Sequence, residues 1–133
     1  MKLSKLLGTN EKQIQKSFSE LLACTIYGSV SGYWCNGVDY GNKEDAIKTM
    51  GSLYVDDKYI SNYIRYSKAE NPFLIVHTDS GKKKLTYKKM EKALELMLEG
   101  YTKCLKRIIA EEYDAVDADV FFQMAVFGKV VYE

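Results

Sequence analysis

The chain has 133 residues and a formal net charge of +1, from 19 Lys and Arg against 18 Asp and Glu. That length suits one domain, and 47% hydrophobic with 28% charged residues excludes both a disordered polyelectrolyte and a chain basic throughout. No apolar run reaches the ~18 residues of a membrane span.

Residues 1–7 are basic but carry too short an apolar run for a secretory signal, so a soluble cytoplasmic protein without a membrane partner is expected. Cys24, Cys35 and Cys104 are odd in number and match no zinc spacing, which favours reduced thiols in that compartment. Eleven Tyr stand against five Phe and one Trp. Tyr pairs an apolar body with a polar tip, a combination suited to binding surfaces.

Residues 10–27 are predicted as a helix. Ile14, Phe18, Leu21, Leu22 and Ile26 fall on one face, Asn10 with Gln13 fits a capping box, and Gly28 fits a stop. Residues 28–42 hold four glycines among Tyr33, Trp34, Cys35 and Tyr40. Asn36-Gly37 favours a turn there, giving a short strand or hairpin. A short helix is expected over 44–50. Residues 52–66 suit helix or strand: Tyr59, Tyr63 and Tyr66 have helical spacing, but β-branched and aromatic residues also suit a sheet.

Residues 73–77 are a short apolar run before the turn residues Asp79, Ser80 and Gly81, and 82–85 form the return strand. Thr86 caps a long predicted helix to about residue 112. Met90, Leu94, Met97, Tyr101, Cys104 and Ile108 make its stripe, which suits either the core of this domain or a coiled-coil seam. Asp117 caps a last helix over 118–127, stopped by Gly128, and Val130-Val131-Tyr132 suits a terminal edge strand. The expected fold is α+β: one domain with a small antiparallel sheet packed against the long helix, and the N- and C-terminal helices beside it.

No P-loop, dinucleotide fingerprint, serine elbow or zinc motif occurs. His77 is the single histidine, and a general base needs a positioned partner. The adjacent acids Asp56-Asp57 and Glu111-Glu112 diverge on any regular backbone, so they suit solvated charge. No catalytic residue, metal site or cofactor is expected. Two surface features remain. Residues 82–92 hold six Lys and one Glu at the start of the long helix, against the dipole preference, while acids cluster over 111–119. The lysines suit either a solvated sheet edge or an anion site. The aromatic set Tyr33, Trp34, Tyr40, Tyr59, Tyr63 and Tyr66, with Arg65 inside it, suits either packing or a base-stacking platform with a phosphate clamp.

The stretch 114–132 contains an acidic Asp-Ala segment, then Asp119-Val120-Phe121-Phe122-Gln123, then Phe127-Gly128-Lys129-Val130-Val131-Tyr132. Together with the Gly-rich Tyr33-Trp34 segment after the first helix, it resembles a group of small phage proteins. The resemblance covers about a third of the chain and implies a counter-defence factor. Some proteins of that kind are oligomers that sequester cyclic-nucleotide or ADP-ribose-derived immune signals without catalysis. By this analogy Tyr33, Trp34, Tyr63 and Tyr66 stack on a base, and Arg65, Lys82, Lys83 and Lys84 meet phosphate. The partners expected are a nucleotide-derived small molecule and further copies of the chain. The first alternative is an inhibitor of a host defence protein, such as an anti-CRISPR, with the acids of 111–119 mimicking nucleic acid. The second is a small enzyme that degrades the signal, using His77 and an acid.

Overall fold

A computed structural model describes residues 3–29, 33–52, 60–68 and 72–132. It is an α+β fold with helices α1 (Glu11–Cys24), α2 (Lys43–Met50), α3 (Ile60–Tyr66), α4 (Tyr87–Gly100), α5 (Thr102–Ile109) and α6 (Ala115–Phe127). Strands β1 (Cys35–Tyr40), β2 (Phe73–Thr78) and β3 (Gly81–Thr86) form an antiparallel sheet in the order β1-β2-β3.

The sheet shows how alternation sets a face. Along β2, Leu74, Val76 and Thr78 are buried while Phe73, Ile75 and His77 are only half-buried. The helices cover the first set: α6 and α4 meet β3, and α3 meets β1. Asp79-Ser80 makes the hairpin turn, and Gly81 takes the positive φ of 106° that follows it. Thr78 Oγ1 accepts from the Ser80 amide at 3.2 Å and donates to the Gly81 carbonyl at 2.7 Å, which locks the turn.

α6 is the centre of the fold. Its residues 117–126 other than Asp119 are all buried, the pattern of a helix enclosed on every side. Phe121 stacks on Phe18 of α1 at 5.7 Å, and Phe122 lies 5.0 Å from Trp34. Gln123 is buried among these apolar groups, which is tolerable because its amide is fully engaged. Oε1 accepts from the Val131 and Tyr132 amides at 2.8 Å each, and Nε2 donates to the Tyr132 carbonyl at 2.8 Å and to Asp119 at 3.1 Å. The C-terminal segment is thereby tied down by one side chain. It forms no strand, contrary to the edge strand expected over 130–132.

Three other expectations change, and the alternative left open for the apolar stripe is decided. The long helix over 86–112 is two helices, because Tyr101 leaves the helical region (φ −136°, ψ 48°) right after Gly100, a poor helix former. Met90, Leu94 and Met97 of α4, with Leu105 and Ile108 of α5, are buried in the domain core rather than along a dimer seam. Asn36-Gly37 makes a bulge in β1 rather than a hairpin turn: the register slips between Cys35 and Gly37, and Gly37 adopts φ 150°. The last helix starts at Ala115, capped by Asp114 rather than Asp117. Over the ambiguous stretch, 60–66 is helix and 53–59, with Asp56, Asp57 and Tyr59, lies outside the described residues.

Candidate functional site

The eight residues singled out above fall into four places. Trp34 is fully buried, its ring packed against Phe122, Phe127 and Tyr132, and its Nε1 donates to Asp119 at 2.9 Å. No base can reach it, so its part is to hold the β1 entrance against α6. Tyr33 is exposed and meets Tyr132 edge-on at 6.0 Å. Tyr63 is 1% exposed and its hydroxyl donates to Asp45. Burial, reinforced by that carboxylate, pushes its phenol well above the ordinary range. It too is closed to stacking. Lys82, Lys83 and Lys84 lie on β3, with Lys84 Nζ 4.1 Å above the Phe73 ring.

Arg65 and Tyr66 sit elsewhere, at the end of α3, and they do come together at a groove. α3 packs lengthwise on α1, fixed by the buried Ser19 hydroxyl donating to the Ser61 carbonyl at 2.8 Å. Gln15 Nε2 donates to the Ser67 carbonyl at 3.1 Å. A groove of about 420 Å³ is lined by Lys12, Gln13, Gln15 and Lys16 of α1 and by Arg65, Tyr66, Ser67 and Lys68 of the α3 end. Four of these eight residues are cationic and none is acidic. The Arg65 guanidinium stacks 4.9 Å from the Tyr66 ring centre, and that ring is 53% exposed. Lys16 makes a loose, half-exposed pair with Glu20 at 3.8 Å. Among the described residues, Lys12 and Lys68 make no ion pair.

A second pocket of about 420 Å³ abuts the first. Asp45, Lys48 and Thr49 of α2 line it together with Tyr66 and Lys68, which both pockets share. Asn42 caps α2 through Asp45, whose amide donates to the Asn42 side chain at 3.1 Å. The Asp45 carboxylate then receives the Tyr63 hydroxyl and, at 3.1 Å, the Ser67 hydroxyl. Tyr63 therefore builds the wall behind Tyr66 instead of touching a ligand.

Lys12, Lys16, Lys48 and Lys68 were not singled out from sequence. A signal existed for two of them: Lys12 and Lys16 are one turn apart on the α1 face opposite Ile14 and Phe18. The proximity of α1 to the end of α3 is a tertiary fact that spacing does not carry.

The acidic cluster is drawn partly into the fold. Asp117 is fully buried and accepts from Arg107 Nε and Nη2 at 2.7 Å each. Arg107 holds the Asp117 carboxyl low, at about 2. Asp114 and Asp117 complete a reciprocal capping box at the start of α6, and Asp119 is engaged by Trp34 and Gln123. Three of the five acids thus make hydrogen bonds within the fold, while Glu111, Glu112 and Asp114 remain exposed. His77 Nε2 lies 2.6 Å from Asp39 Oδ2 across the open sheet face, with both side chains partly exposed.

No group of three or more His, Cys, Asp or Glu suited to a metal occurs among the described residues, and no helix among them is long and apolar enough to cross a membrane. No protein family, curated protein or solved structure matches the chain.

Proposed function

We propose that this protein binds and sequesters a phosphate-bearing nucleotide signal, without chemistry, in the groove between α1 and the end of α3. The observation that carries this reading is a concave surface with four cations, no carboxylate and one exposed, Arg-stacked tyrosine. Clustered exposed cations attract phosphate, and Arg forms two parallel hydrogen bonds with it. An exposed aromatic face adds stacking of about 1–3 kcal/mol per base. The phosphate clamp is Arg65 with Lys12, Lys16 and Lys68, and Tyr66 supplies the stacking face. Tyr33, Lys82, Lys83 and Lys84 lie outside this assignment. The resemblance to small phage proteins makes counter-defence in the cytoplasm of an infected host the proposed setting, with a bacterial immune signal as the ligand.

Native mass spectrometry with a panel of cyclic dinucleotides, mononucleotides and ADP-ribose derivatives tests this. The expected result is stoichiometric ligand that is returned unchanged on denaturation. Arg65→Ala should weaken binding by about 10–100-fold, as for loss of a charge-assisted hydrogen bond. Conversion of the ligand would replace sequestration with catalysis, for which the His77–Asp39 pair is the place to look. Absence of any binding would remove the reading.

A further inference from the structure

Two pockets of equal size meet at Tyr66 and Lys68, and their chemistry differs. The α1–α3 pocket has four cations and no acid among its lining residues. The α2 pocket sets one carboxylate, Asp45, against Lys48 and Lys68, with the Thr49 hydroxyl beside them. Asp45 is held on one side only. Its Oδ2 accepts from both Tyr63 and Ser67, whereas Oδ1 takes no hydrogen bond among the described residues. A carboxylate oriented by two hydroxyls and lining a pocket accepts from N–H groups, and it repels phosphate.

We infer that the site is two-lobed and takes a ligand of two linked nucleotide units that straddles Tyr66. One unit places its phosphate among Lys12, Lys16, Arg65 and Lys68. The other enters the α2 pocket, where Lys48 and Lys68 meet its phosphate and Asp45 accepts from the base. With Oδ2 already engaged by two hydroxyls, Oδ1 accepts from one N–H group of a base in this lobe. This inference rests on the proposed nucleotide-binding function and names the ligand class for the same site.

Isothermal titration calorimetry distinguishes the two. The probes are GMP, a guanine–guanine dinucleotide and an adenine–adenine dinucleotide, each with the wild-type chain, Lys48→Ala and Asp45→Asn. The guanine dinucleotide should bind at least about tenfold more tightly than GMP, because linking the units makes the second contact intramolecular. Lys48→Ala should bring the dinucleotide down to the affinity of a single unit, removing most of that advantage. Asp45→Asn should weaken both dinucleotides, because an amide is a poorer acceptor than a carboxylate. Lys48 is exposed, so its variant remains informative even if Asp45→Asn weakens the fold. Equal affinities of GMP and the guanine dinucleotide would overturn the two-lobed site while leaving nucleotide binding intact. Failure of all three probes to bind would overturn both.

Discussion

Two charged regions of this molecule contrast. At the start of α6, Arg107, Asp114, Asp117 and Asp119 are drawn into a network with Trp34 and Gln123, and each has a partner at 2.7–3.2 Å. At the end of α3, Lys12, Lys16, Arg65 and Lys68 surround a groove that contains no carboxylate. Both regions are rich in charge in the sequence. One uses its charge to fix the fold, and the other leaves its charge largely exposed, where we propose that it meets a ligand. What separates them is whether the folded chain closes opposite charges together in a buried network, and linear patterning does not report that.

The largest expected effect strikes the first region. Trp34→Ala should lower stability by about 3–5 kcal/mol, through lost packing on Phe122, Phe127 and Tyr132 and through an Asp119 carboxylate left short of a donor. Urea denaturation checks it. A small stability loss accompanied by a large affinity loss would return Trp34 to the binding surface and dissolve the contrast.

Asp117→Asn comes next, at about 2–3 kcal/mol, because a buried, doubly hydrogen-bonded carboxylate loses its charge. The half-exposed Arg107 side chain can re-hydrate, which keeps the loss below that of a fully enclosed pair. The pH dependence has a definite sign. The folded-state carboxyl at about 2 lies below the ordinary 3.8, so this stabilisation is complete above about pH 4 and fades as pH falls toward 2. The gap between wild type and variant should therefore be constant near neutrality and close over that window. A gap that persists undiminished at pH 2 would show that the interaction is not ionic.

How much of this was legible in the sequence follows from the range of the forces involved. The Asp79-Ser80-Gly81 turn, the β2–β3 hairpin, the α1 face and the caps at Asn10 and Thr86 all depend on neighbours a few residues away, and all are found where local pattern places them. The break at Tyr101 was hidden because the apolar stripe continues through it at unchanged spacing. The Asn36-Gly37 signal for positive φ was genuine, but the fold uses it for a bulge. Of the proposed ligand residues, Arg65 and Tyr66 line the groove, while Trp34 and Tyr63 are buried. Aromatic composition cannot tell a stacking face from a core filler, since both want the same ring.

Tyr63→Phe probes the seam between the two kinds of region. It keeps the buried ring and removes a hydroxyl that donates to Asp45, for an expected loss of about 1 kcal/mol in thermal or chemical denaturation. It should leave phosphate-dependent binding in the α1–α3 groove within about twofold, because no residue of that clamp changes. A large affinity loss would mean that the Asp45 wall and the cationic groove act as one unit.

The smallest effects on stability belong to the groove itself. Tyr66 is 53% exposed, and substitutions at such surface positions usually lie within about 0.5 kcal/mol. Tyr66→Ala and Lys12→Ala should accordingly melt with the wild-type protein. Removing Lys12 should even relieve repulsion among four cations that face one groove, a small stabilisation that disappears in high salt as screening takes over. Both variants should nonetheless weaken nucleotide binding by about tenfold or more. That opposition is what the proposed binding surface requires: like charges held together cost the fold something, and a bound phosphate would neutralise them. If Tyr66→Ala were instead strongly destabilising, the groove would be another packed region of the fold, and the distinction between the two ends of the molecule would collapse.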